Sequence, residues 1–119
     1  MPTAAITRIL NVVSEPSRLR ILLALSDRKM CVCELCTALG LGQAVTSQHL
    51  RVLRDCGLVT HRKSGLWVDY ELPQAALSGP AGRILRTILH EASQDDSIKK
   101  DRKAAAKADR RVIRSRRKP

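Results

Sequence analysis

Two short amphipathic segments joined by Gly40-Leu41-Gly42 limit the fold more than any other feature of the chain. Residues 32–39 carry leucines at helical spacing, and residues 43–56 place Leu50 and Leu53 on one helical face. Two short helices joined by a glycine-containing turn predict a helix-turn-helix, whose second helix enters the DNA major groove.

The flanking segments extend this unit on both sides. Three further helices are expected from the spacing of apolar residues: 4–13, 16–25 and 81–92. Residues 58–62 and 66–72 have strand-like patterns, and Lys63-Ser64-Gly65 is the expected hairpin tip. A basic hairpin directly after the second helix of such a motif is a wing. The predicted fold class is therefore mainly α with a β-hairpin, a winged helix-turn-helix.

Positive charge is distributed unevenly along the chain. With 119 residues, the chain is expected to build one core. Residues 99–119 carry 11 Lys or Arg and two Asp, so this stretch holds +9 of the net charge of +11. We therefore predict a DNA-binding and dimerisation domain over residues 1–94. Residues 95–119 are predicted to be a basic tail, disordered or a frayed helix, which could also attract phosphate.

The first and last helices of the domain have apolar stripes outside the helix-turn-helix. The first stripe consists of Ile6, Ile9, Leu10 and Val13, and the last consists of Ile84, Leu85, Ile88 and Leu89. These stripes are candidates for pairing with a second subunit in a homodimer. Periodicity alone leaves burial in the chain's own core as an equal alternative.

Three of the four cysteines, Cys31, Cys33 and Cys36, lie within six residues at the start of a predicted helix. In a cytosolic protein, clustered cysteines are more often metal-binding or redox-active than structural disulfides. Cys56 is isolated at the end of the helix predicted over residues 43–56. It is expected to pack as a small apolar residue, with a ligand or redox role as the alternative.

The outer face of the helix over 43–56 carries side chains suited to DNA. Glutamine can read adenine in a bidentate manner, and serine can reach a base or a phosphate. Arginine and lysine on this helix and on the wing suit phosphates, with a solvated face as the alternative. For His49, DNA contact and internal packing are equally open. The expected DNA-binding residues are Gln43, Ala44, Ser47, Gln48, His49, Arg51, Arg54, Arg62 and Lys63.

These motifs together resemble the ArsR/SmtB family, in particular its arsenical-resistance repressors. The resemblance rests on Cys31-Val32-Cys33-Glu34-Leu35-Cys36, on residues 46–54, on Gly57-Leu58-Val59 and on residues 63–70. It implies a homodimer that binds double-stranded operator DNA and leaves it when arsenite or antimonite, the inducer, binds the cysteines. Thr46 stands where the family usually has an apolar residue, and its methyl group can still be buried.

The chemistry of the cysteine box fits this inducer. Trivalent arsenic and antimony favour three thiolates, whereas a closed zinc site needs a fourth ligand. On a regular helix Cys33 and Cys36 are about 60° apart and can share a face, but Cys31 and Cys33 are about 200° apart. Either Cys31 lies before the first turn, or the helix unwinds when the ion binds. We expect that distortion to release DNA.

Other functions remain open at this point. Cadmium and lead relatives recruit a further N-terminal cysteine, but residues 1–30 contain none. Zinc relatives use a site on the last helix, where this chain has only His90 and Glu91. A thiol redox switch and a metal-buffering protein without an operator are further alternatives. No enzyme motif is recognised, and no organic cofactor is expected.

The sequence also bears on location. No apolar run approaches the roughly 18 residues needed to span a membrane, and the N-terminal residues have no basic lead. We therefore expect a cytoplasmic protein with no membrane partner.

Overall fold

The computed structural model describes residues 3–117, so the ends of both predicted units, 1–2 and 118–119, lie outside the described residues. The helices and strands follow in the order α1 Thr3–Val13, α2 Pro16–Leu25, α3 Val32–Leu39, α4 Gln43–Asp55, β1 Thr60–Ser64, β2 Trp67–Glu71, a 3-10 turn Gln74–Leu77, α5 Gly79–Ala92, α6 Asp96–Lys107 and α7 Arg110–Arg117. This arrangement is a winged helix-turn-helix, as predicted.

The helix-turn-helix, α3 and α4, packs onto a core of aliphatic side chains. Leu50 and Leu53 are fully buried, which confirms the face assigned from their spacing. Gly40 ends α3 with a φ of 67°, a conformation that favours glycine over residues with a side chain. Thr46 is fully buried as well, and its hydroxyl donates to the carbonyl of Gly42 at 2.8 Å. The departure from an apolar residue at this position is therefore accommodated.

The wing is shifted along the chain from its expected position. Leu58 and Val59 are buried in the core before β1 begins, and β1 pairs antiparallel with β2 from Thr60 opposite Glu71 to Ser64 opposite Trp67. The prediction that residues 63–65 form the hairpin tip was wrong, because Lys63 is a strand residue paired with Val68. The turn itself contains Gly65, whose φ of 59° suits a tight reversal.

The wing is also tied to the segment that precedes α3. The backbone N–H of Met30 donates to the carbonyl of Tyr70 at 3.0 Å, and the N–H of Tyr70 donates back at 2.8 Å. Met30 is fully buried. The first residue of the cysteine box is therefore held against strand β2 by its neighbour in the chain.

Residues 96–107 and 110–117 are helical and pack against the domain. Ile98 and Ala105 of α6 are buried in the same core as the domain's leucines. The Asp101 carboxylate accepts two hydrogen bonds from the Arg20 guanidinium, at 2.8 and 2.9 Å. Sequence periodicity did not indicate these contacts, and the domain boundary at residue 94 stays a prediction.

Across residues 3–117, the helices are too short or too polar for any of them to cross a lipid bilayer.

Candidate thiol site and nucleic-acid interface

Cys31 lies immediately before α3, as its N-cap residue, with extended backbone angles of φ −87° and ψ 171°. This is the first of the two geometries that the sequence left open. The Met30–Tyr70 bridge fixes the extended conformation, so the side chain is free of the angular constraint of the helix. Cys31 can therefore meet a cysteine that a regular helix would place on the opposite face.

That partner is Cys33, whose Sγ lies 3.1 Å from the Sγ of Cys31. Each of the four cysteines is a free thiol. Burial raises the pKa of the Cys31 thiol to about 12, and its hydrogen bond with Cys33 acts in the same direction. Cys31 is thus protonated near neutral pH, and a soft ligand must displace its proton to form a bond to sulfur.

Cys36 makes a different contact. Its thiol donates to the Thr46 hydroxyl on α4 at 3.5 Å. The sequence paired Cys33 with Cys36, whereas the contact seen in the structure joins Cys33 to Cys31. Within residues 3–117 no group of three or more His, Cys, Asp or Glu side chains is arranged to hold a metal ion. The box is therefore divided into a thiol pair at the start of α3 and a third thiol facing α4.

A buried carboxylate, Glu34, supports the thiol pair. One of its oxygens accepts from the backbone N–H of Cys31 at 3.0 Å, an arrangement that satisfies a donor at the start of α3. The other oxygen accepts from the Arg28 guanidinium at 3.4 Å and from the N–H of Arg110 at 3.3 Å. Glu34 thus joins the cap of α3 to the start of α7. A glutamate three residues after an N-cap residue is the sequence signal from which this role could have been predicted.

The wing and α7 meet beside the thiol pair. The Arg110 guanidinium donates to the Asp69 carboxylate of β2 at 2.5 Å and lies 4.6 Å from the centroid of the Trp67 ring. Asp69 is buried. Arg110 and Asp69 are 41 positions apart, and no local pattern in the sequence could have paired them.

An apolar pocket of about 360 Å³ opens between these elements. The thiol pair forms one side, and β2 contributes Trp67 and Val68. Ile113 of α7 lies on another side. The pair of sulfur atoms is therefore at the edge of a hydrophobic space and not on a flat polar surface.

The predicted DNA-reading residues lie mainly on the surface. Six of the side chains on α4 and the wing are exposed to solvent: Gln43, Ala44, Ser47, Gln48, Arg62 and Lys63. Arg51 is exposed as well. The N-terminal turns of α4 and the wing thus present polar and basic groups that nucleic acid could reach.

Two of the expected DNA-binding residues already have partners within the chain. The Nε2 of His49 is 3.5 Å from the Glu15 carboxylate, and its side chain is only 17% exposed. Arg54 places a guanidinium nitrogen 3.2 Å from Nδ1 of His61 on β1. In this conformation His49 is paired with Glu15 at the start of α2, and its contact with DNA stays a prediction.

Cys56 follows α4 and packs against the hydrophobic core, with its thiol donating to the Leu53 carbonyl at 3.2 Å. The structural interpretation of this residue thus has a physical basis.

The fold and its exposed surface define a class, the winged-helix DNA-binding regulators. A family model described as "Bacterial regulatory protein, arsR family" matches residues 15–61. The HTH-type transcriptional regulator CmtR of Mycobacterium tuberculosis is 35% identical over 89 residues, which cover 75% of this chain and 75% of that protein. The chain belongs to the arsR family of bacterial regulatory proteins.

Two further comparisons agree with this family. The arsenical resistance operon repressor of Escherichia coli is 44% identical over 66 residues, which are 55% of this chain and 56% of that protein. The match thus spans little more than half of that relative. The crystal structure of the transcriptional regulator HlyU from Vibrio vulnificus superimposes with a TM-score of 0.61 at 36% identity, covering 76% of this chain and 88% of that chain.

Proposed function

We propose that the chain is a transcriptional repressor that binds operator DNA as a homodimer and releases it when trivalent arsenic binds Cys31, Cys33 and Cys36. Antimonite, with the same soft three-coordinate chemistry, is the second inducer. The observation that carries the proposal is the cluster of three free thiols in and immediately before α3, the helix that packs directly against α4.

The position of Cys36 supports a mechanism for release. Its thiol contacts Thr46, which is followed on α4 by the exposed Ser47 and Gln48. To bond the same arsenic atom as the thiol pair, Cys36 must leave Thr46 or the first turn of α3 must move. Either movement alters the packing of α3 on α4. Since α4 must fit the major groove, a shift in its position lowers the affinity for DNA.

Charge supports DNA as the partner. The chain carries a net charge of +11, and Arg62 and Lys63 are exposed on the wing. Phosphate contacts from such residues position the protein, while Gln43, Ser47 and Gln48 are placed to read bases. The basic helix α7 adds sequence-independent attraction.

An exposed apolar face supports the homodimer. Helices α1 and α5 contact each other, and a groove along them is lined by Leu10, Ile84 and Ile88. Leu10 is 49% exposed, which is unfavourable for a leucine unless a second surface covers it. We expect helices α1 and α5 of a second copy to cover this groove, because a dimer presents two recognition helices to one operator.

The test is arsenite titration of a complex with DNA selected from a random library, followed by fluorescence anisotropy in a phosphine reductant. Arsenite is expected to release DNA from the wild type and from the control Cys56→Ser. In Cys31→Ser, Cys33→Ser and Cys36→Ser the required arsenite concentration should rise at least about 10-fold, because each variant removes one bond to arsenic. Sedimentation of the complex should give two chains per duplex. Normal release by all three variants would contradict the proposal.

A thiol redox switch is the second candidate, and the 3.1 Å separation between the Cys31 and Cys33 sulfurs favours it. An oxidant would take two electrons and two protons from this pair to form a disulfide. A redox regulator should not respond to arsenite while the reductant keeps its thiols reduced. Titrations with cadmium, lead and zinc under the same conditions distinguish an arsenic-responsive repressor from one that responds to these metals.

A further inference from the structure

We propose that α7 is a docked arm of the wing, in which Arg114 and Arg116 bind DNA phosphates outside the groove that the wing enters and Arg110 leaves Arg62 available for DNA. This inference rests on the proposed function, because it assumes that the chain binds duplex DNA. It replaces a general attraction between a basic segment and DNA by contacts at defined positions.

The turn between α6 and α7 is held on both of its sides. Before α7, the Arg28 guanidinium donates to the carbonyls of Ala105 and Ala108, at 2.9 and 2.6 Å. At the first residue of α7, the Arg110 guanidinium donates to the buried Asp69 carboxylate at 2.5 Å. These contacts give α7 a defined position beside the wing, which a flexible tail does not have.

Helix α7 runs along the wing towards its turn. Its first residue, Arg110, is paired with Asp69 in the middle of β2. One helical turn later, the Arg114 guanidinium lies 5.9 Å from the centroid of the Trp67 ring, at the end of β2 next to the turn. Arg114 also lines the same pocket as Leu66, a residue of the turn itself. The second half of α7 thus lies near the tip of the wing, where DNA is expected.

The charge of α7 suits phosphate. Residues 110–117 include five arginines and no acidic residue. Arg114 and Arg116 are exposed, and across residues 3–117 neither forms an ion pair with a carboxylate. The aromatic ring beside Arg114 restricts its guanidinium before DNA binds. A helix of eight residues is about 12 Å long and duplex DNA has one charge per about 1.7 Å of axis, so the two arginines can reach separate phosphates.

The ion pair between Arg110 and Asp69 also affects Arg62 on β1. Arg62 lies directly opposite Asp69 in the hairpin, so the two side chains share a face, where opposite charges attract each other. In the part of the chain that the structure describes, however, Asp69 is paired with Arg110, and Arg62 is exposed. Arg110 therefore neutralises a carboxylate that would repel phosphate and leaves Arg62 available to bind DNA.

The test measures affinity and hydroxyl-radical footprints on a duplex that carries the selected site and about one helical turn of flanking DNA on each side. In Arg114→Gln/Arg116→Gln the outermost protected backbone positions should be lost, and affinity should fall at least about 10-fold. The slope of log affinity against log salt concentration should decrease by about four units in a dimer, roughly one for each phosphate contact. The control Lys99→Gln/Lys103→Gln removes the same charge from exposed positions of α6 and should keep the outer protection.

Two variants on β2 separate docking from charge. Asp69→Ala and Glu71→Ala each remove one negative charge, but Asp69 holds α7 and Glu71 is exposed. A flexible basic tail predicts tighter binding in both variants, because the chain becomes more positive. The docked arm predicts lost outer protection and at least about 3-fold weaker binding in Asp69→Ala alone. Should Asp69→Ala unfold, Arg110→Gln removes the other partner of the ion pair, with Arg111→Gln as its control.

The outcomes separate this inference from the proposed function. Unchanged outer protection in Arg114→Gln/Arg116→Gln, or equal losses in that variant and in Lys99→Gln/Lys103→Gln, would overturn the inference. Tighter binding by Asp69→Ala with its outer protection retained would overturn it as well. In each of these cases the proposed function stands if the wild type binds the selected duplex and arsenite releases it. If the wild type selects no duplex, the proposed function fails and the inference fails with it.

Discussion

The start and the middle of α3 hold cysteines in different surroundings. At its start, Cys31 and Cys33 lie in contact beside the wing and α7, and Glu34 holds the backbone of Cys31. One turn later, Cys36 faces α4 and is hydrogen-bonded to Thr46. The start of α3 therefore offers a thiol pair that is already assembled, and the middle offers a single thiol in contact with α4.

This difference separates ligand capture from the response. A ligand that needs two thiols can bind at the start of α3 and leave α4 where it is. A ligand that needs three thiols must draw Cys36 away from Thr46 or move the first turn of α3. The division of the box thus predicts that the number of As–S bonds decides how strongly DNA is released.

The largest expected effect breaks the start of α3. Glu34→Ala removes the acceptor of the Arg28 guanidinium and of the backbone N–H groups of Cys31 and Arg110, and it leaves the buried N–H of Cys31 without its partner. We expect a loss of about 3 kcal/mol in the free energy of unfolding, measured by urea denaturation. The control Glu91→Ala removes an exposed carboxylate on α5 and should change stability by less than about 0.5 kcal/mol. A loss as small as that of the control would mean that Glu34 does not stabilise the start of α3.

A smaller effect is expected at the contact between Cys36 and Thr46. Thr46→Val keeps the shape of the side chain but removes its hydrogen bonds to Gly42 and Cys36. Unfolding free energy should fall by about 1 kcal/mol. Thr37→Val, at an exposed position of α3, is the matched control and should have no such effect. If both variants have the same stability, the Cys36–Thr46 contact does not contribute to the packing of α3 on α4.

The smallest effect sharpens the comparison itself. In the absence of ligand, the loss of unfolding free energy in the double variant Glu34→Ala/Thr46→Val should equal the sum of the losses in the two single variants within about 0.5 kcal/mol, because the two sites share no partner. With saturating arsenite, the losses should no longer add, since one ion then joins both sites. Coupling between the two substitutions without ligand would show that the sites are not separate.

Much of the fold could be predicted from local pattern. The positions of Leu50 and Leu53 follow from the 3.6-residue period, and both are buried as expected. The hairpin was found from its alternation, but its tip was misplaced, because Leu58 and Val59 are apolar enough to resemble a strand while they fill the core. The packing of α6 and α7 against the domain was not predicted, since their many charges indicate a solvated tail and only a few buried residues, such as Ile98, hold them.

The candidate site was predicted less completely. Clustering identified Cys31, Cys33 and Cys36 as ligands, and that assignment stays a prediction. Helical angles could not tell which sulfurs meet, because Cys31 lies outside the helix. Glu34, Asp69 and Arg110 were not recognised, although they link the thiol pair to the wing and α7.

By itself, the sequence determined the order of the helices and strands from α1 to α5, their core faces and the presence of three thiols in one short segment. These are local properties, set by side-chain period, glycine turns and spacing along the chain. Only the tertiary structure decided that Cys31 meets Cys33, that Cys36 faces Thr46 and that an apolar pocket opens beside the pair. The physical reason is that these contacts depend on the bridge between Met30 and Tyr70, and on helices distant in sequence.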